Sequence, residues 1–367
     1  MIVKKIRIIG SLALLIFLLF IIIKNLNRSK EYKTQVYDAF DTYTVISIYD
    51  KNPKEAEKKL KILSDKFEAM SKDFDGFNNY EGINNLKTVN DNAGIKETKV
   101  SDDLFDLISR TKELEERFKL GKLNIAIGPV TNIWRDYSDL YNQGFSPEEM
   151  ILEMGSELPR KADLEKLRHL IDQNNVIINK DKKTIYLNKK SMALDLGAVA
   201  KGYAVEALSQ YAIKDLDVES ILISSGGNIK CLNKDGVDRK YKVAIYNPEI
   251  EDQYKEEISE KDQYLTVLNL KNKAVVTTGD YQRYFILNGK RYPHIVDPDS
   301  LETSDKYRSI SVIYDDSFMA DYLSTSLFLL DKEKVKKLEE ENDFWVVYLD
   351  DNGEVYISEK LKDLIGD

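Results

Sequence analysis

The rhythm of apolar and polar positions changes several times along this chain, and each change marks an element or a boundary. Residues 8–23 are an unbroken uncharged run, IIGSLALLIFLLFIII, set between Arg7 and Lys24. At about 1.5 Å per helical residue the run spans roughly 24 Å, and the two flanking cations can snorkel to complete a bilayer core. It exceeds a usual signal-peptide core, and KNLNRSKEYK after it holds no small-x-small cleavage site. Residues 1–30 therefore read as an uncleaved membrane anchor helix, with a cleaved signal peptide as the alternative. Lys4, Lys5 and Arg7 on one side balance Lys24, Arg28 and Lys30 on the other, so charge leaves the orientation open.

Beyond this segment the apolar spacing alternates between strand and helix periods. YDAFDTYTVISIYD, from Tyr37, predicts a strand with a turn near Asp41. Amphipathic spacing predicts helices over 53–74 and 101–119. Between them, DGFNNYEGINNLKTVNDNAG is rich in Gly, Asn and Asp and predicts a long loop of the kind that carries binding residues. GKLNIAIGPVTNIW predicts a turn, a short strand and the entry to a helix containing Trp134. Residues 141–190 read as a charged helical excursion closed by a hairpin, VIINKDKKTIYLN, and a helix over 201–213 leads into an apolar strand that stops at Ser225-Gly226-Gly227-Asn228. Further strands are predicted at 242–246, 264–270, 274–278, 284–287 and 310–314, then a helix over 317–330, a charged helix, and the strands FWVVYLD and EVYIS. No repeat or linker divides residues 31–367, so they predict a single α+β domain of mixed sheets with packed helices.

Composition narrows the chemistry. Apolar residues make up 43 %, enough for a substantial core, and 54 Lys and Arg against 63 Asp and Glu give a net charge of −9. That balance argues against a broad basic face for nucleic acid, so any bound anion is held locally. Cys231 is the lone cysteine, which excludes an intramolecular disulfide and a cysteine zinc site; His169 and His294 are the only histidines, too few for a histidine-rich centre. A metal here would take oxygen ligands, as magnesium and calcium do.

Two clusters carry candidate chemistry. In ALDLGAVAKGYAVEAL, residues 193–208, Asp195 is followed by Gly197, Lys201 and Gly202 at the start of a predicted helix. Helix starts present free N–H groups and a partial positive charge, glycines admit close approach, and a lysine adds a full charge, a combination suited to a phosphorylated ligand. Taken singly, Asp195 also reads as a helix cap, Lys201 as a solvated surface lysine and the Gly226-Gly227 pair as a plain turn. The second cluster is His294-Ile295-Val296-Asp297-Pro298 with Ala320-Asp321-Tyr322-Leu323-Ser324-Thr325. Asp321 and Thr325 stand one helical turn apart, a carboxylate and a hydroxyl fit to hold a hard cation, or else a polar stripe beside inward-packed leucines.

In order and spacing, five landmarks resemble the ApbE family, the FAD:protein FMN transferases. They are FDTYTVISIY; FNNYEGINNLKTVNDNAG; GKLNIAIGPVTNIW; LDLGAVAKGYAVEAL with SSGGN; and VVTTGDYQRYF through PHIVDP to MADYLSTSLFLL. The resemblance implies an enzyme that splits FAD, joins its FMN half through a phosphoester to a Ser or Thr hydroxyl of a partner protein, and releases AMP with the help of magnesium. It implies an FAD pocket lined by Phe40, Phe77, Lys122, Leu123, Asn124, Asp195, Lys201 and Ile295, and a magnesium site of Ala198, through its carbonyl, with Asp321 and Thr325. Asp321 and His294 are the expected catalytic residues. With the anchor, it implies a domain outside a bacterial cytoplasmic membrane. The chain departs from the family pattern at Phe40-Asp41-Thr42, where Met-Gly-Thr is usual, at Asn124, where Asp is common, and at Ser324, which is Asp or Ala elsewhere. Two rival readings are a tethered FAD pyrophosphatase with water as acceptor and a non-catalytic FAD-binding electron-transfer protein.

Overall fold

The computed structural model describes residues 29–252 and 262–366; residues 1–28 of the predicted anchor lie outside them, and Lys30, its last residue, already begins a strand. Among the described residues no helix is long and apolar enough to cross a membrane. The main sheet has eight strands that lie side by side in chain order: β1 (Lys30–Val36), β2 (Thr44–Asp50), β3 (Ser220–Ser225), β4 (Asn228–Asn233), β5 (Ala274–Gly279), β6 (Tyr307–Tyr314), β7 (Trp345–Asp350) and β8 (Val355–Ile357). Every pairing in it is antiparallel. The smaller ladders are antiparallel as well, so the sheets are not mixed as expected. Each excursion, however long, returns the chain beside its predecessor running the other way, and no parallel crossover is made.

Alternation along the strands sorts their side chains onto two faces. On β5, Ala274 and Val276 join the large core under the helices, while Val275 faces a second core formed with the hairpin of Tyr241–Tyr246 and Tyr264–Leu270. The six longest helices among the described residues are α1 (Pro53–Asp73), α2 (Asp102–Phe118), α3 (Gly128–Asn142), α4 (Ala200–Lys214), α5 (Ser317–Phe328) and α6 (Lys332–Glu341). Helix α1 starts where sequence signals place it, with Asn52 capping the Lys54 N–H and proline at the first position. Its buried Ala56, Leu60, Leu63, Phe67 and Met70 recur at helical spacing. Helix α5, capped by Asp316, is buried almost all round; Thr325 alone of its 12 residues is not buried. A helix so enclosed has its rotation fixed by packing, which aims Asp321 and Thr325.

Three local expectations change. Within the stretch predicted as a loop, Leu86–Asp91 forms a short helix capped by Asn85. No strand forms over the LNIAI stretch, because Asn124 closes a turn there: its Oδ1 accepts from Ala126 N at 2.9 Å and its backbone carbonyl from Ile127 N at 3.1 Å. Gly226 and Gly227, at φ 46° and 89°, make the turn expected of them, and a strand not predicted from sequence, β4, follows at once and pairs back on β3.

Candidate functional site

The two sequence clusters meet where α4, α5 and β4 touch. Gly202 N–H donates to Asp321 Oδ2 at 2.7 Å, and Asn228 Nδ2, at the first residue of β4, donates to the same oxygen at 3.2 Å. Glycine is required at the crossing: a Cβ on residue 202 would fall 2.4 Å from Asp321 Cβ and 2.5 Å from the Ser317 carbonyl oxygen. Asp321 is only 5 % exposed. Burial raises its carboxyl above the usual range, opposed by the Lys201 charge, the Gly202 N–H and the Asn228 amide. Its Oδ1 accepts no hydrogen bond among the described residues.

The capture of the Gly202 N–H has a second effect. In an unbroken helix that N–H would turn back to the carbonyl of Ala198; here it goes to Asp321, and no backbone N–H among the described residues donates to the Ala198 oxygen. Thr325 is similarly placed. Ser324 Oγ donates to the Asp321 carbonyl at 3.0 Å, so at its 2.9 Å contact with Thr278 Oγ1 the threonine is the donor. Thr325 Oγ1, 3.4 Å from Thr278 Oγ1, then donates to it and keeps its own lone pairs free. Three oxygens with unclaimed lone pairs, from Ala198, Asp321 and Thr325, are the donor set a hard cation prefers. Among the described residues no cluster of three or more His, Cys, Asp or Glu side chains is formed. The set thus suits magnesium, which keeps waters and phosphate oxygens beside one carboxylate.

Lys201, half-buried at the start of α4, has neither a hydrogen bond nor an ion pair among the described residues, and its charge acts on both Asp321 and His294. Val199 gives the start of α4 no side-chain cap from its own segment, and among the described residues the only carboxylate there is Asp321, on the Gly202 N–H. Asp195 is not that cap. Its Oδ1 accepts from Gly197 N at 2.9 Å, its Oδ2 from Thr131 Oγ1 at 2.8 Å, and its own N–H goes to the Ile125 carbonyl, so it ties the loop before α4 to the entry of α3.

The remaining predicted residues fall into four groups. Phe77 is 53 % exposed with the Arg135 guanidinium 4.0 Å from its ring centroid, and Phe40, at φ 56°, sets its ring against Phe67 and Phe74. Leu123 and Ile295 are buried in the main core, so they bear on a ligand through backbone or shape. Lys122 is already engaged: its ammonium lies 2.8 Å from Asp297 and 2.7 Å from Asp299, which overcome burial and raise its pKa. Asn124 Nδ2 is likewise spent on the Ile171 carbonyl at 2.8 Å. His294 is exposed in area yet walled by protein, and that enclosure, with the Lys201 and Arg283 cations, pushes its imidazole down to about 4. Nδ1 lies 3.1 Å from the Arg283 carbonyl, which can only accept, so the neutral ring carries its proton on Nδ1 and leaves Nε2 as a base.

Sequence reading missed Thr278 and left Asn228 without a role. Both lie at strand ends facing the helix that carries Asp321, a position no local motif reveals. Two small cavities, about 290 Å³ beside Ile95, Glu97 and Tyr186 and about 350 Å³ beside Lys33, Glu57 and Lys61, include no predicted site residue. The site faces solvent instead, through exposed Gly197, Phe77 and His294.

In this α+β domain the lysine-bearing start of α4 meets a buried carboxylate on α5, an arrangement with the chemistry to face a phosphate and a hard cation. Residues 40–347 match the profile of the ApbE family, and the chain belongs to that family. It is 28 % identical over 308 residues to an FAD:protein FMN transferase of Klebsiella pneumoniae, covering 82 % of this chain and 87 % of the relative. It is 29 % identical over 250 residues to one of Vibrio cholerae, covering 66 % of each. Among solved structures, an ApbE protein from Thermotoga maritima matches 92 % of this chain and 100 % of its own with a TM-score of 0.74 at 21 % identity. The flavin transferase ApbE from Vibrio cholerae matches 92 % and 99 % with a TM-score of 0.68 at 18 % identity. At those identities the structures speak for the fold.

Proposed function

We propose that this chain is a magnesium-dependent FAD:protein FMN transferase, which joins FMN to a Ser or Thr hydroxyl of a partner protein and releases AMP. The observation that carries the reading is the 2.7 Å contact of Gly202 N–H with Asp321 Oδ2, which sets the anion-binding helix start and the oxygen-donor helix against each other. Lys201, through its ammonium and the backbone N–H it leaves unpaired among the described residues at the start of α4, holds the diphosphate. Ala198, Asp321 and Thr325 would hold the cation, which when bound neutralises phosphate oxygens and the charge on departing AMP. Phe77 offers a face to a planar ring. A new bond joins the acceptor oxygen to the FMN phosphorus, the bond from that phosphorus to the AMP oxygen breaks, and the hydroxyl proton passes to a base, for which Asp321 and His294 Nε2 are the candidates. The apolar run at 8–23 tethers the domain, on this reading to the outer face of a bacterial cytoplasmic membrane.

The deciding experiment incubates the full chain with FAD, magnesium and candidate acceptors from neighbouring genes or an extracted membrane fraction, then reads intact protein mass and in-gel flavin fluorescence. An acceptor that gains the mass of FMN, stopped by EDTA and restored by magnesium, supports the transferase. AMP and free FMN without an adduct would identify a hydrolase, and FAD retained uncut an electron carrier. Asp321→Ala should abolish transfer; full flavinylation by that variant at matched magnesium would reject the assignment.

A further inference from the structure

One helical turn below the Asp321 junction, the same three elements meet a second time. Glu206 follows Gly202 by four residues on α4, and its Oε2 accepts the backbone N–H of Ser317 at 2.8 Å; Ser317 precedes Asp321 by four residues on α5. Lys230 follows Asn228 by two on β4, so both point to the helix face. Its Nζ lies 2.9 Å from Glu206 Oε2 and also donates to the Asp315 carbonyl. Gln210 Nε2 holds the other carboxylate oxygen, Oε1, at 2.8 Å. Lys230 is 1 % exposed and Glu206 7 %. The site layer, Gly202–Asp321–Asn228, thus rests on a buried charged layer, Glu206–Ser317–Lys230.

A buried ion pair adds little net stability over apolar groups of the same volume, because desolvating both charges offsets their attraction. What apolar side chains do not reproduce is direction: two hydrogen bonds between elements and a charge pair, with Gln210 holding Glu206 from within α4, admit one axial setting of α5 against α4 and β4, where greasy contacts tolerate sliding. We infer that Lys230 and Glu206 are positioning residues for the site, fixing the start of α5 so that the Asp321 carboxylate and Thr325 hydroxyl stand one turn further on at the right height for a cation. Neither residue reaches the donor oxygens itself; they act through Ser317 and the helix it begins. This inference rests on the cation-site reading given under Proposed function.

Glu206→Gln tests it, since glutamine keeps the shape and an acceptor for the Ser317 N–H but leaves the Lys230 ammonium without its counter-charge. Magnesium is titrated calorimetrically into the FAD-loaded full chain in detergent. The expected result is a magnesium dissociation constant raised about tenfold or more, the size found when the partners of a metal ligand are lost, with transfer rate recovering in part at high magnesium. A folded variant that binds magnesium as the parent does would overturn the inference. Where the single variant fails to fold, Glu206→Gln combined with Lys230→Met removes both charges. That pair should melt close to the parent yet still bind magnesium more weakly, and unchanged binding in it refutes the positioning role equally. The two readings fail separately: a parent chain that binds magnesium with FAD but flavinylates no acceptor refutes the transferase, whereas variants that bind magnesium normally refute the positioning.

Discussion

Gly202→Ala puts one methyl group into the crossing of α4 and α5. Its Cβ would stand 2.4 Å from Asp321 Cβ, 2.5 Å from the Ser317 carbonyl oxygen and 3.0 Å from Asp321 Oδ2. Carbon atoms rest about 3.5–4 Å apart, so the helices must part by about 1 Å. Overpacking of this kind costs about 1–3 kcal/mol, and alanine returns up to about 1 kcal/mol of helix propensity. The net loss of stability is therefore small beside the effect on the site. A 1 Å displacement stretches the 2.7 Å bond from Gly202 N–H and moves Asp321 away from Ala198. Misplacement of about that size lowers rates on the order of 10²-fold. The assay is FMN transfer to an acceptor across a magnesium series, paired with a thermal melt of the same preparation. We expect a melting midpoint lowered by only a few degrees, a higher magnesium requirement, and transfer reduced about a hundredfold. Transfer at the parental rate and magnesium requirement would show that the crossing does not set the site.

Further tests bear on individual groups. Thr278→Val removes the hydroxyl that binds Ser324 and Thr325, and should raise the magnesium requirement several-fold while FAD binding without metal stays as in the parent; an unchanged requirement, read from transfer across a magnesium series, counts against Thr278. Phe77→Ala should weaken FAD binding by about 1 kcal/mol, the scale of one aromatic stack, with transfer rate at saturating FAD little altered; fluorescence titration with FAD checks it. His294 titrates at about 4 in the fold against 6.5 unfolded. Its lowered value means that the unfolded chain takes up the proton first, so this group's contribution to stability is complete above pH 6.5 and is lost as pH falls toward 4. Transfer should keep its base well below pH 6.5, and Lys201→Ala should move the acid limb of the rate profile upward, though short of 6.5 because enclosure is the larger cause; a limb already at 6.5 in the parent contradicts this.

Most helices and strands were legible because their signals are local. Asn52-Pro53 and Ser101 cap α1 and α2 where the polar pattern places them, and the alternation on β5 and β6 sends successive side chains to different cores. LNIAI misled because Leu123, Ile125 and Ile127 alternate as in a strand, while Asn124 spends its amide on Ile171 and Ala126 and bends the backbone away from any partner strand. Asp195 looked like a cap because it is a short carboxylate upstream of a helix start, but the N-cap position falls on Val199 and the Asp195 oxygens go to Gly197 and Thr131. The joining of the two clusters was legible only through family resemblance. Contacts such as Asn228 to Asp321 or Thr278 to Ser324 link residues 93 and 46 positions apart, and no periodicity encodes them. The family departure at Asp41 is structurally intelligible: Asp41 adopts φ 51°, the left-handed conformation that glycine takes freely and aspartate tolerates better than most residues.

Exposure across the site runs in one direction, and that gradient bears on what the proposed reaction must overcome. Asp321 is buried and held by two donors, Thr325 and Lys201 are half-buried, His294 keeps an exposed edge though walled by protein, and Phe77 stands in the open. A rigid buried end suits the cation and diphosphate, whose positions must not vary, while an open end is needed if the nucleophile arrives on another protein's loop. The same opening admits water, at a concentration no protein acceptor approaches. Transfer can then prevail over hydrolysis only if the docked acceptor itself closes the open end, placing its hydroxyl in line with the phosphorus and displacing solvent from around His294 in one event. On this argument the chain without an acceptor should hydrolyse FAD slowly, and that background should fall, not rise, when a non-reactive acceptor carrying Ala in place of the modified Ser or Thr is added. A background unaffected by saturating Ala acceptor would place the barrier to water within the enzyme's own residues.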